Sequence, residues 1–373
     1  MQLNINLSKT VNILVIITFI IALVYLGRNI LIPLVFGGIF SLLLYPVCDF
    51  LEKHKIPRII SIIISYILVF LIIAGIIAFF SSQVINLFDD IKHFGKTLTK
   101  LLDKLIYFIN HSILPANTNL QELYKQGSGS LLESSTGIIR KTITSSTNFV
   151  AFVIFVVVYT FLFLLYRTAF KNFFLLFFKE QNKEYAYELL NSIPKIIQNY
   201  FYGMFIVIIT VGTLNGIGMW AIGIDFPFLF GYLAAVLTII PYIGTTIGGM
   251  LPTFYALVTY DSLWMPISVI ALYLTIQTIE GNILTPKIVG NKVSLNPLFA
   301  LISLLVGGLL WGIAGMILFI PIMAIVKVIF DHIESLQPYG ILLSSDFGSN
   351  EENIFTKIKW KVSEILNKEE SKK

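Results

Sequence analysis

Glu280 closes a long apolar run, with Gln277 one turn before it and Gly281, Asn282, Pro286 and Lys287 directly after. An ionisable group beside hydrocarbon is expensive enough to read as functional by default. A carboxylate in that position can exchange a proton for a cation or a solute. The competing readings are a structural ion pair with Lys287, or a helix-end carboxylate facing the cytoplasm. Gln277 and Asn282 offer amide donors and acceptors suited to a polyhydroxylated or carboxylated solute, although interhelical hydrogen bonding would use them equally well. Lys287 either attracts an anionic solute or anchors the chain at a positively charged membrane boundary. Gly281 and Pro286 suggest that helical backbone fails here and frees carbonyls and amides. The stretch 275–292 reads as the working part of a membrane transporter.

A second group of residues points the same way. Pro241, Gly244, Thr245, Thr246, Gly248, Gly249 and Pro252 form a small-residue break within apolar sequence. It is either an unwound tip whose helix ends face a solute or a close helix contact through small side chains. Asn215 is polar within an apolar run and either lines a path or bonds between helices. Gly307, Gly308, Gly312 and Gly315 are spaced for a hairpin turn and tight packing. Asp225 and Asp261 read as solvated loop acids, and Asn296-Pro297 as a helix start with Asn as N-cap and Pro at the first position. Pro321 is expected to kink its helix.

Composition decides what carries these groups. The 373 residues are 56% hydrophobic and 13% charged, against roughly 25% charged in soluble domains, and mean hydropathy is +0.84. Lipid is therefore the solvent. In lipid only helices and closed barrels satisfy their backbone, and barrel strands would alternate apolar with polar residues. Runs 62–80 and 149–165 are apolar nearly throughout, so the fold class is all-α. Cys48 is the single cysteine and the four histidines are scattered. A metal site is not expected, and no cofactor is implied. The net charge of +5 sits between apolar runs and in the tail, which argues for membrane topology and against nucleic acid. No GxxxxGK[ST] loop, HExxH or Ser/His/Asp arrangement occurs, which disfavours an ATP-driven pump within this chain and an intramembrane enzyme.

Apolar runs fall at 11–26, 30–47, 59–80, 149–166, 203–223, 226–240, 242–260, 263–280 and 297–330. The expectation is about eight membrane segments, including broken or re-entrant hairpins. Run 297–330 would extend roughly 51 Å as one helix, too long for a ~30 Å core, so a hairpin turning between Gly307 and Gly315 is expected. Residues 11–47 should turn at Gly27-Arg28-Asn29, with 11–26 read as a retained segment rather than a signal peptide. Run 226–258 breaks at Pro241–Gly244 and reads as re-entrant. Residues 1–80 thus form a membrane hairpin plus a third helix, and 81–147 an amphipathic helical insertion. A C-terminal membrane core (148–333) and a tail with a basic amphipathic helix (334–373) complete the chain. The insertion carries apolar residues at helical spacing from Val84 to Ile109, then a polar loop over 115–136. Basic loops 49–58, 167–195 and 281–296 place both termini in the cytoplasm.

Pro241-Tyr-Ile-Gly244 with Gly248, Gly249 and Pro252 resembles the autoinducer-2 exporter family of bacterial permeases. So do Gln277-Thr-Ile-Glu280-Gly281-Asn282 with Pro286-Lys287, then Asn296-Pro297, Gly307-Gly308, Gly312, Gly315 and Pro321. The resemblance covers nearly the whole chain. It implies export of autoinducer-2 or, as in other members, sodium or lithium–proton antiport or movement of small carboxylates such as dipicolinate. It also implies a homo-oligomer, with a pentamer expected. The combined expectation is a multi-pass bacterial inner-membrane permease. It would export a small polar or anionic solute on a proton or sodium gradient, with Glu280 as coupling group. Alternatives are a cation/proton antiporter without organic substrate, and a membrane scaffold acting through the 81–147 arm.

Overall fold

Apolar runs without charge can satisfy their backbone in lipid only as helices, and the computed structural model is helical accordingly. It describes residues 7–112, 120–178, 183–240, 243–260, 262–290 and 295–345, and over 88–147 only the backbone. Helices α1 (Leu7–Leu26), α2 (Arg28–Lys53), α3 (Arg58–Ser112), α4 (Leu120–Leu175) and α5 (Lys183–Ile222) come first. They are followed by α6 (Pro227–Leu237), α7 (Ile243–Thr259), α8 (Trp264–Ile279), α9 (Pro297–His332) and α10 (Gln337–Leu343). Six helices of the described residues are long and apolar enough to cross a membrane, while Leu14–Leu26 and Pro227–Leu237 are shorter apolar helices. The protein is an all-α polytopic membrane protein.

Two compact units are present, the first comprising Met1–Ile63, Val158–Val207 and Gly281–Lys373. Its core joins Ile39 and Leu43 of α2 to Ile197 of α5 and Leu318 of α9. Asn296 caps α9 by accepting from the Leu298 amide at 2.9 Å, with Pro297 at the first position as expected. Within α9 the backbone reverses hand at Gly312 (φ 60, ψ −138), a conformation tolerated almost only by glycine. The two arms then touch backbone to backbone, since a Cβ on Gly307 would lie 2.4 Å from the Gly315 carbonyl oxygen. This is the hairpin that the run length demanded. The expected turn at Gly27 is instead a bend. Gly27 N still bonds Leu23 O at 2.8 Å and Leu31 N bonds Gly27 O at 2.9 Å, so helical bonding continues on both sides. The Trp311 indole donates to Val24 O at 3.0 Å in the turn where the bend occurs.

The second unit comprises Ile64–Val157 and Ile208–Glu280. Met219, Phe230, Tyr255, Ala256 and Val269 form its core, with Leu87 packed against it. Close approach of α5 and α6 depends on glycine, because a Cβ on Gly231 would lie 2.7 Å from Gly212 O and 2.6 Å from Gly216 N. Helices α6 and α7 form a second hairpin: a Cβ on Gly248 would meet the Ala234 backbone at 3.0 Å. At about 16 Å, α6 is too short to cross a ~30 Å core, which fits a re-entrant arm. The Tyr260 hydroxyl accepts from Asp225 N at 2.9 Å and ties the α5–α6 connection to the end of α7.

Two sequence expectations are corrected by the backbone. The polar stretch 115–136 is helical from Leu120, because α4 runs unbroken from there into its apolar span. The loop expected over 281–296 is helical as far as Gly290. Of the apolar stripe in the insertion, side chains beyond Leu87 lie outside the described residues, as does the amphipathic tail 351–369.

Candidate functional site

Tyr273, Gln277 and Glu280 stand at i, i+4 and i+7 on α8 and its continuation, which puts them on one face of the helix. Gln277 Nε2 donates to Glu280 Oε2 at 2.7 Å; both residues are half-buried. One turn earlier on that face, the Tyr273 hydroxyl donates to the Thr245 carbonyl at 2.6 Å. Thr245 lies in the first turn of α7, so this bond fixes the hairpin tip to the helix that bears the carboxylate. The same contact is close because Gly249 has no side chain: a Cβ there would lie 2.6 Å from the Tyr273 ring. The structure thus gathers Glu280, Gln277 and the Thr245 backbone around one polar stripe in the second unit. Thr246 is exposed.

Beyond Ile279 the helix widens into two π-helical segments, Glu280–Leu284 and Pro286–Gly290. Backbone failure was expected here; widening occurs instead. Proline at 286 has no N–H to give to a carbonyl one α-turn back, and glycine at 281 relaxes the local backbone. A π-turn absorbs both without ending the helix, and such turns concentrate at functional sites. The crossing-length apolar segment therefore runs from Trp264 to Ile288. Trp264 is exposed and suits an interface. Glu280 lies roughly 24 Å further along the axis, so the apolar segment continues past it rather than ending there.

The remaining residues take distinct places. Asn282, Lys287, Gly281 and Pro286 are exposed and belong to the first unit. Gly244 is at the hairpin tip, where a Cβ would fall 1.5 Å from Leu237 O, and Pro241 lies outside the described residues. Pro252, expected to break its helix, is fully buried within a continuous α7. The Thr253 hydroxyl donates to Gly249 O at 2.8 Å, supporting the backbone beside the proline. Asn215 is fully buried, donates to Val211 O at 3.0 Å and leaves Oδ1 without a partner among the described residues. Gly308 packs against Met316 in the α9 hairpin. No group of three or more His, Cys, Asp or Glu side chains comes together among the described residues.

Sequence reasoning missed two features. Tyr273 was hidden because an aromatic on an apolar helix looks like packing, though its seven-residue spacing from Glu280 was a usable signal. In the first unit, Glu52 of α2 pairs with Arg167 of α4, and Arg58 of α3 donates to Leu165 O at 3.1 Å and Thr168 Oγ1 at 3.2 Å. Arg167 also stacks over the Tyr45 ring at 5.0 Å. These residues read only as topogenic loop charges until the fold joined three helix ends.

The sequence model of the AI-2E family transporter matches residues 14–335. The Bacillus subtilis protein named "Putative transport protein YrrI" is 28% identical over 321 residues, covering 82% of this chain and 87% of the relative. The "AI-2 transport protein TqsA" of Escherichia coli K12 is 23% identical over 348 residues, covering 92% and 97%.

Proposed function

We propose, for a chain that belongs to the AI-2E family of transporters, that it exports a small polar or anionic solute such as autoinducer-2. Export is secondary, drawing on a proton or sodium gradient, and Glu280 is the coupling group. The carrying observation is the half-buried Gln277–Glu280 pair, set where a helix of crossing length widens into π-turns. A carboxylate at that depth is costly when empty and charged. Proton, cation or solute binding relieves the same cost, so occupancy by one excludes the need for another, and exchange follows. The hairpin tip, held through Tyr273 and Thr245, moves with the α8 face that carries Glu280. The setting is the bacterial inner membrane, with both termini cytoplasmic and the chain in a homo-oligomer.

Flux in sealed vesicles with an internal pH dye tests the reading. Sodium, lithium, small organic acids and autoinducer-2 are added in turn to wild type and Glu280→Gln. Solute-dependent proton movement that disappears in the variant supports coupled export. Cation-driven proton movement with no solute, lost in the variant, would replace export with antiport. Wild-type flux in Glu280→Gln would remove Glu280 from the mechanism. Loss of function on deleting 84–113, with Glu280→Gln silent, would favour a scaffold.

A further inference from the structure

In the first unit, α2 and α5 draw apart around a recess of about 450 Å³ lined by Tyr45, Pro46, Asp49, Phe50, Lys53, Asn191, Pro194, Lys195 and Gln198. Its origin is in the backbone. Pro46 has no N–H to offer Leu42 O, and Gln198 Nε2 from α5 takes that carbonyl at 2.8 Å instead. Pro194 faces it from the other helix, so two pyrrolidine rings stand where side chains would otherwise interlock. The rim is cationic. Lys195 is exposed and has no ion-pair partner among the described residues. Lys53 pairs with Asp49 at 2.7 Å, but its side chain is 72% exposed, and such a pair holds little free energy. Lys171 donates to the lining residue Asn191 at 3.3 Å. Two ammonium groups and one carboxylate thus line the recess, and a third ammonium group is hydrogen-bonded to its wall.

The recess also sits where apolar helix gives way to charge. The crossing-length segments run from Arg28 to Lys53 and from Ala186 to Ile222. Pro46, Phe50 and Lys53 follow one another at helical spacing on an exposed face of α2, with Phe50 62% exposed. An occupant must be anionic at the rim and apolar along Phe50, and it must reside at the level where a bilayer places headgroups.

We infer that this recess binds an anionic phospholipid, its phosphate between Lys53 and Lys195 and its acyl chain along Phe50. Basic pockets between membrane helices suit such headgroups. The site is independent of the Glu280 chemistry and stands whether or not the transport assignment does.

The test uses the full chain in phosphatidylcholine nanodiscs, titrated with fluorescently labelled phosphatidylglycerol. Wild type should bind saturably. Removing two lysines (Lys53→Gln with Lys195→Gln) should weaken binding on the order of 30-fold, while Lys53→Arg with Lys195→Arg should retain it. Both lysines are exposed, so neither pair of changes threatens the fold. Lys55→Gln removes a nearby charge outside the recess and should leave binding as in wild type. An equal loss in Lys55→Gln would mean non-specific attraction and would overturn the site. Displacement of the lipid by inorganic phosphate would mean a free-anion site and would overturn the lipid assignment. Undiminished binding in the double Gln variant would overturn both.

Discussion

Gly249→Ala tests whether the hairpin tip is held to the helix of Glu280 through Tyr273. The added Cβ would fall 2.6 Å from two carbons of the Tyr273 ring, where ordinary contact begins at 3.4 Å, so the ring must withdraw by about 0.8 Å. Overpacking of this size costs about 2 kcal/mol. The displaced hydroxyl also loses its 2.6 Å bond to Thr245 O, worth about 0.6 kcal/mol in a membrane. Alanine returns about 1 kcal/mol of helix propensity. The net loss is about 1.5 kcal/mol, on the order of tenfold in the folded-to-unfolded ratio. Detergent-driven unfolding of the purified protein in mixed micelles measures it. Combining Gly249→Ala with Tyr273→Val makes room for the methyl, so the double variant should lose less than the two single losses added together. In vesicles, Gly249→Ala should slow flux while leaving Glu280 chemistry intact. Strict additivity, or a Gly249→Ala protein as stable as wild type, would refute the contact as the link between tip and site.

Gly312→Ala places a side chain at φ 60 and ψ −138, a strain of about 1–3 kcal/mol that detergent unfolding will register as early loss of the α9 hairpin. Glu52→Ala strands Arg167, whose side chain is only 20% exposed; it should destabilise by about 2 kcal/mol, whereas Glu52→Met with Arg167→Met should recover most of that. Asn215→Leu removes a buried acceptor that has no partner among the described residues and should be neutral or stabilising by about 1 kcal/mol; stability gained together with flux lost would mark Asn215 as part of the path.

Much of the architecture was legible because the bilayer leaves a chain few choices. Uncharged runs had to be helices, and a 34-residue stretch could not be one crossing. Only glycine could turn it, and Gly312 does. Asn296-Pro297 announced a helix start because an Asn oxygen and a missing proline N–H answer the same unpaired amides. The break after α6 was readable from Pro241 and Gly244 standing close together, although Pro252 in the same stretch is carried within a continuous α7. Polar composition misled at 120–136, where helix continues into an apolar span despite its Ser and Gly residues.

What local sequence could not contain was decided by chain segments meeting. Glycine and proline at 281 and 286 weaken an α-helix, but whether it ends or widens depends on how much of it is held on either side; held within a crossing-length segment, it widens. Tyr273 looks like packing until Thr245, 28 residues away, offers a carbonyl. Glu52 and Arg167 look like loop charges until 115 residues of chain bring them together. The sequence by itself determined which segments are helical and which polar groups hydrocarbon would penalise. Only the tertiary structure determined which of those groups meet a partner from another segment, as Tyr273 meets Thr245 and Glu52 meets Arg167, because that depends on non-local contacts whose geometry no short stretch encodes.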